Sequence, residues 1–255
     1  MRKILSEQIE HVGIITLHNG EKHNAFDDEL IRQLDHALDE AIQHPDIRII
    51  VLQANGRHFS AGADLAWMQR MVDMSENDNQ ADALKFAQTI HKLYECPKPT
   101  IALVQGATYG GGIGLIAACD IAFATEQAKF CFSEVTLGLI PAVISPYVIQ
   151  AIGPRMAKAL FLSAEVFYAP QAQAMHLIHT LVPEAELHTA GLAHAKALSH
   201  MPNQALCQAK ALVRHVQDRP IDTELIQHTA QWIAQIRVSM EAQNALHLFL
   251  NRSQG

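Results

Sequence analysis

Residues Thr108–Asp120 read TYGGGIGLIAACD, with glycines at 110, 111, 112 and 114 and an apolar run directly behind them. The preceding TIALVQG (Thr100–Gly106) is apolar and β-branched and reads as a buried strand, and GGIGLIAAC opens a helix. A strand, then glycines, then a helix N-terminus leaves unpaired main-chain N–H groups and a partial positive charge with no side chains covering them. A carbonyl oxygen can approach such a corner closely, as in an oxyanion hole. Close packing of helix on strand also calls for glycine, and the stretch alone does not choose between the two. A phosphate loop is excluded: Gly106 and Gly111 have its spacing, but Gly112 and Ile113 stand where Lys and Ser/Thr are required. The dinucleotide fingerprint G-x-G-x-x-G is not matched either.

Outward from this stretch the pattern alternates. VGIITL (Val12–Leu17) reads as a strand. Asp27 then caps a helix whose Leu30, Leu34, Leu38 and Ile42 recur every fourth residue until Pro45. IRIIVLQA (Ile47–Ala54) reads as a buried strand, followed by the loop NGRHFSAGADL. Trp67 to about Asn79 is polar, Met-rich and without a firm period. ADALKFAQTIHKLYE is a helix, and DIAFAT and AKFCFS are strands. Alternating strands and helices indicate an α/β fold. After about Pro141 no strand signal remains; short helices lead into long periodic segments at Glu184–Ser199, Gln204–Gln217, Asp222–Ile236 and Ser239–Leu250. The expected organisation is an α/β core over residues 1–190, carrying the active site, and a helical C-terminal region over 191–255 whose apolar stripes need covering.

Composition narrows the partners. Of 255 residues, 49% are hydrophobic and 18% charged, which fits a chain with a sizeable soluble core. A formal net charge of -7 argues against nucleic acid and against an acidic membrane surface. Cys96, Cys119, Cys131 and Cys207 show no paired spacing, so free thiols in a reducing compartment are expected. With no signal-peptide core and no apolar stretch of spanning length, the expectation is a cytoplasmic protein. The fifteen histidines form neither H-E-x-x-H nor a Cys/His cluster, so no metal site is expected.

A second corner settles the first. FSAGADL (Phe59–Leu65) again follows a strand with a small-residue turn. Together, FSAGADL, GATYGGGIGLIAACDIAFAT and AKFCFSEVTLGLIP resemble, in order and spacing, the three central signatures of the crotonase family, the enoyl-coenzyme A hydratases and isomerases. The resemblance runs from about Ile14 to Gly153. It implies a spiral of repeated ββα units followed by a helical C-terminal region, assembled into a homotrimer or a hexamer. It also implies an acyl-CoA thioester as substrate, coenzyme A being part of that substrate and no separate cofactor taking part. On the matching positions, Ala63 and Gly111 would supply the two oxyanion N–H groups and Glu134 would be the acid/base. Ala61, Asp64 and Leu65 would lie along the adenine and pantetheine path. Lys22 and Arg57 are candidates for the coenzyme A phosphates, with solvated surface charge as the alternative. An isolated carboxylate amid Phe130, Phe132, Val135 and Leu137 is expected to be desolvated, its pKa raised toward the range of a proton shuttle.

The chain departs from the family's pattern twice. Well-known hydratases carry a second glutamate two residues after the triple glycine, where Gly114 stands here; and Ala142–Ser145 replace a glycine-rich stretch. The combination is similar to the bacterial branch that hydrates branched, carboxylated esters such as 3-methylglutaconyl-CoA. A distal carboxylate calls for a cation or donor, for which Arg70, His91 and Tyr109 are the candidates. The expected function is hydration of the C2=C3 bond of an enoyl-CoA. The alternatives are a Δ3,Δ2-enoyl-CoA isomerase using the same glutamate, or a non-catalytic acyl-CoA binding homologue in which Gly114 records lost chemistry.

Overall fold

The computed structural model describes residues 2–252. Strands β1 (Ile4–Ile9) and β2 (Val12–Leu17) form a hairpin, followed by α1 (Asp28–Gln43) and β3 (Ile49–Ala54). Asp27 caps α1 by accepting from Leu30 N at 2.9 Å, and Leu30, Leu34 and Leu38 are its buried face. Next come α2 (Leu65–Val72), α3 (Glu76–Tyr94), β4 (Thr100–Val104), β5 (Ala107–Tyr109), α4 (Gly111–Ala118), β6 (Ile121–Thr125) and β7 (Lys129–Cys131). Beyond lie α5 (Ser145–Ser163), β8 (Phe167–Tyr168), α6 (Ala169–Ala174), β9 (Thr180–Val182) and four helices: α7 (Leu187–Ser199), α8 (Asn203–Val216), α9 (Thr223–Arg237) and α10 (Met240–Arg252).

Six strands make one sheet in the order β1-β2-β3-β4-β6-β9, parallel except for the β1–β2 hairpin; β5, β7 and β8 make a second, smaller sheet. The turns β4–β5–α4 and β6–β7–α5 each place one strand in the large sheet, the next in the small sheet, and then a helix. This is the expected spiral of ββα units. Because a parallel sheet is covered on both faces, its alternating side chains enter two cores. Ile15, Ile50, Leu52, Ala102 and Val104 pack toward α1, α3 and α4, while Ile14, Ile49, Val51, Ile101 and Leu103 pack toward α7. No helix among the described residues is long and apolar enough to cross a membrane.

Several expectations change. Residues 67–79 are not without period: they hold most of α2 and the start of α3. Asp64 caps the first helix by accepting from Ala66 N and Trp67 N, and Ser75 caps the second by accepting from Asp78 N. Strands do occur after Pro141, since β8 pairs with β7 and β9 extends the large sheet beside β6. They are only two and three residues long, too short to show a period. The two short helices expected around Gly153 are both present within α5, which is interrupted by the non-helical backbone of that residue (φ 77°, ψ 155°). The boundary expected at 190/191 falls inside α7, which covers the large sheet through Leu187 and Ala195.

Candidate active site

Two strand-to-helix corners meet beside the small sheet. Ser60 and Thr108 form a parallel bridge, and Tyr109 N donates to Ser60 O at 2.9 Å. A Cβ on Gly62 would stand 3.5 Å from the Tyr109 Cβ, so the corners are in van der Waals contact. Phe26 secures the outer edge of the first: its N–H donates to Gly62 O at 2.7 Å, and its carbonyl accepts from Asp64 N at 2.8 Å. These bonds bracket Ala63, so the Ala63 N–H points away from Phe26, and it finds no acceptor among the described residues. On the second corner Gly111 begins α4, so its N–H has no acceptor within the helix. Both expected oxyanion donors are thus free main-chain amides on bridged corners.

Glu134 opens a short 3-10 turn, Glu134–Leu137, that follows β7. In the small sheet Tyr109 lies opposite Cys131, and Gly110 N donates to Cys131 O at 3.1 Å, which brings Glu134 to the N-terminus of α4. Its carboxyl covers Gly110, where a Cβ would stand 2.9 Å from Glu134 Oε1. Gly110 itself has φ 48° and ψ -114°, a backbone state that resists a side chain. Glu134 Oε2 is buried and receives no hydrogen bond from the protein. Burial raises the carboxyl's pKa above the ordinary glutamate value.

One turn along α4, a Cβ on Gly114 would stand 2.8 Å from the Ile144 Cβ, nearer still to its Cγ2, and 3.3 Å from Ile90 Cδ1. The position at which the resemblance places a second glutamate is therefore filled by Ile144. The two departures noted in the sequence, Gly114 and the Ala142–Ser145 stretch, are one packing solution.

A cavity of about 790 Å³ is walled by α2 (Trp67, Met68, Met71), α3 (Asp82, Phe86) and Leu139. Phe86 reaches the second corner, its Cε1 standing 2.7 Å from where a Gly111 Cβ would be. Leu65, 82% exposed, forms the rim. Asp64 is buried, and Lys22 Nζ donates to its Oδ2 at 2.9 Å. That bond, aided by the N–H groups of Trp67 and Ala66, holds the Asp64 carboxyl below its ordinary value and raises the Lys22 pKa. Ala61 N donates to His23 O at 2.9 Å. Lys22, Ala61, Ala63, Asp64 and Leu65 are thus gathered at the first corner, and Tyr109, half-buried, stands with Gly111 on the second. Arg57 is exposed in the loop after β3. The candidates for a distal carboxylate are not on the cavity wall: Arg70 pairs with Asp28 on the surface, and His91 is exposed on α3.

Sequence reasoning missed Trp67, Asp82 and Phe86. For Asp82 a signal exists, because it stands on the same stripe of α3 as Phe86, Thr89, Ile90 and Leu93, all buried. A carboxylate on an apolar stripe asks for an explanation.

Comparison with known proteins agrees with this geometry. The family model for enoyl-CoA hydratase/isomerase matches residues 7–255. A solved structure from Legionella pneumophila, assigned to the enoyl-CoA hydratase/isomerases (crotonases), superimposes with a TM-score of 0.95 at 49% identity, covering 98% of this chain and 96% of that one. An enoyl-CoA hydratase from Shewanella pealeana does so with a TM-score of 0.95 at 41% identity, covering 98% and 94%. The 2,3-dehydroadipyl-CoA hydratase of Escherichia coli is 31% identical over 89% of this chain and 88% of its own.

Proposed function

The chain belongs to the enoyl-CoA hydratase/isomerase family, and we propose that it hydrates the C2=C3 double bond of an enoyl-CoA thioester with Glu134 as its single acid/base residue. The observation that carries this reading is the Glu134 carboxyl lying over Gly110 at the N-terminus of α4, with its buried Oε2 receiving no hydrogen bond. A thioester oxygen held by the Ala63 and Gly111 amides would accept the electrons of the C2=C3 bond as water adds. The water oxygen bonds to C3, its proton passes to Glu134, and the enolate collapses as Glu134 returns the proton to C2. Two amides aimed at the developing oxyanion favour the transition state over the ground state. Because Ile144 fills the space beside Gly114, one carboxyl performs both proton steps. The same carboxyl would serve double-bond migration, which is the alternative reaction. A non-catalytic binder is disfavoured, because a desolvated carboxylate oxygen without a hydrogen bond is a cost with no structural return.

The thioester enters with its coenzyme A beside Ala61, Asp64 and Leu65, its phosphates toward Lys22 and Arg57, and its acyl chain in the cavity between α2 and α3. No separate cofactor takes part. The cavity wall carries no cation, so the chain it suits is electrically neutral. A branched, carboxylated chain such as 3-methylglutaconyl is the second reading; the Escherichia coli relative named for 2,3-dehydroadipyl-CoA, whose chain is unbranched, supports only its distal carboxylate. That reading would require Arg70 to exchange Asp28 for the substrate. The exposed Ile226, Ile233, Leu246 and Phe249 of α9 and α10 are the faces a trimer, paired into a hexamer, would cover.

Purified protein offered crotonyl-, 3-methylglutaconyl- and 3-enoyl-CoA, with hydration and double-bond migration followed separately, tests this assignment. Glu134→Gln is expected to lower the rate about 10²–10⁴-fold while the thioester still binds. Unaltered turnover in that variant would remove Glu134 from the mechanism.

A further inference from the structure

We propose that Asp82 and Trp67 form a polar subsite in the acyl cavity that recognises a hydroxyl group on the substrate's acyl chain. The inference rests on the assignment of this cavity to the acyl chain. Asp82 is 7% exposed and Trp67 6%, and both line a wall that is otherwise largely apolar, with Met68, Met71, Phe86 and Leu139 nearby. The Trp67 indole N–H is buried and completes no hydrogen bond, although it lies beside the Asp82 carboxyl. Asp82 also shares a side-chain hydrogen bond with Asp28 of α1, whose Oδ2 pairs with Arg70. Asn79 on this wall is already committed: its Nδ2 donates to Met71 O and Met74 O.

A buried indole N–H without a completed hydrogen bond, beside a buried carboxyl, is expensive to keep unless a ligand completes it. The chemistry of the pair selects the ligand. A hydroxyl donates to an Asp82 oxygen and accepts from the indole N–H, so one group meets both. A plain hydrocarbon chain leaves the indole N–H unmet. A carboxylate would accept from the indole but confront two carboxyls, Asp82 and Asp28. An ammonium would pair with Asp82 but leave the indole N–H without an acceptor. Desolvation first, and then Asp28, raise the Asp82 pKa, and a hydroxyl can bond to the carboxyl in either protonation state.

The test uses the full chain and two series of acyl-CoA thioesters of increasing chain length. In each pair the chain ends in a hydroxyl or in the methyl group of the same shape. Calorimetry with the saturated thioesters reads binding, and turnover of the 2-enoyl forms reads kcat/KM. At one chain length the hydroxylated member is expected to bind about tenfold or more tightly than its methyl counterpart, because a site built to hydrogen-bond rejects the analogue lacking the group. Asp82→Leu and Trp67→Phe should each erase that ratio. Asp82→Asn, which keeps the shape and one acceptor, should retain part of it and guards against misfolding of the leucine variant. Absence of a preference at every length, a preference unchanged in all three variants, or tighter binding of a carboxylate-ended chain overturns the subsite. Crotonyl-CoA separates the two readings: hydration of it without any hydroxyl preference removes the subsite and leaves the enzyme. Hydroxyl-selective binding without turnover removes the enzyme and leaves the subsite.

Discussion

Gly110 and Gly114 stand one helical turn apart at the start of α4, and each makes room for a side chain from further along the sequence. Against Gly110 lies a carboxyl, Glu134; against Gly114 lies hydrocarbon, Ile144 and Ile90. The first contact places chemistry at a helix N-terminus, and the second completes the core. A missing side chain thus has no meaning of its own: what moves into the space decides whether the site gains a proton carrier or a wall.

The largest effect should come from the first glycine. Gly110→Ala combines a disfavoured backbone state with a Cβ where Glu134 Oε1 now sits, so the carboxyl must move. Displacement of about 1 Å at a reacting centre costs about 10²-fold, and kcat should fall by that order while circular dichroism reports an unchanged fold. Full activity in that variant would mean that the carboxyl does not need its present seat.

A smaller, structural effect should follow at the second. Gly114→Ala pushes into Ile144 and should destabilise by about 1–3 kcal/mol, or about 2–4 °C in Tm for each kcal/mol. Adding Ile144→Ala should recover part of that loss. Strict additivity in this double-mutant cycle would show that the two positions do not share one space. Replacing Gly114 with Glu in the Ile144→Ala background then asks whether a second carboxyl speeds hydration relative to migration.

The smallest effect concerns pH. The Glu134 carboxyl has its pKa raised by burial, so its contribution to stability is fully present below the ordinary value of 4.5 and is lost as pH rises through the folded value. Glu134→Gln has no such loss. The variant should therefore melt at the parent's temperature near pH 4 and a few degrees above it near pH 8. Equal melting at both would mean that the carboxyl is solvated after all.

Much of this was legible in the sequence where local rules govern. The Leu30–Leu34–Leu38 stripe behind its Asp27 cap, the β-branched runs of β2, β3 and β4, and the glycine corners all announce themselves within a few residues. Glu134 could be named through the resemblance to the crotonase family, and its aromatic and aliphatic neighbours added only that it should be desolvated. What stayed hidden depends on long-range placement. The strand β1 keeps one side in solvent and shows no apolar run, and β8 and β9 exist only because neighbouring strands offer an edge. The helices over 65–94 are set by their caps, Asp64 and Ser75, more than by periodicity. Gly114 and Ile144 are each visible as oddities, but that one occupies the other's space is a fact of the folded chain. The same holds for Asp82 and Trp67, which come from different helices.

The Ser60–Thr108 bridge has a mechanical consequence. It is a single rung, yet it ties the segment bearing Ala63 to the segment bearing Gly111, so a thermal displacement of one corner drags the other along. The gap between the two amides is thereby buffered against the breathing of α2 and α3 behind them. The acyl wall can deform around chains of different shape while the grip on the reacting end keeps its dimensions.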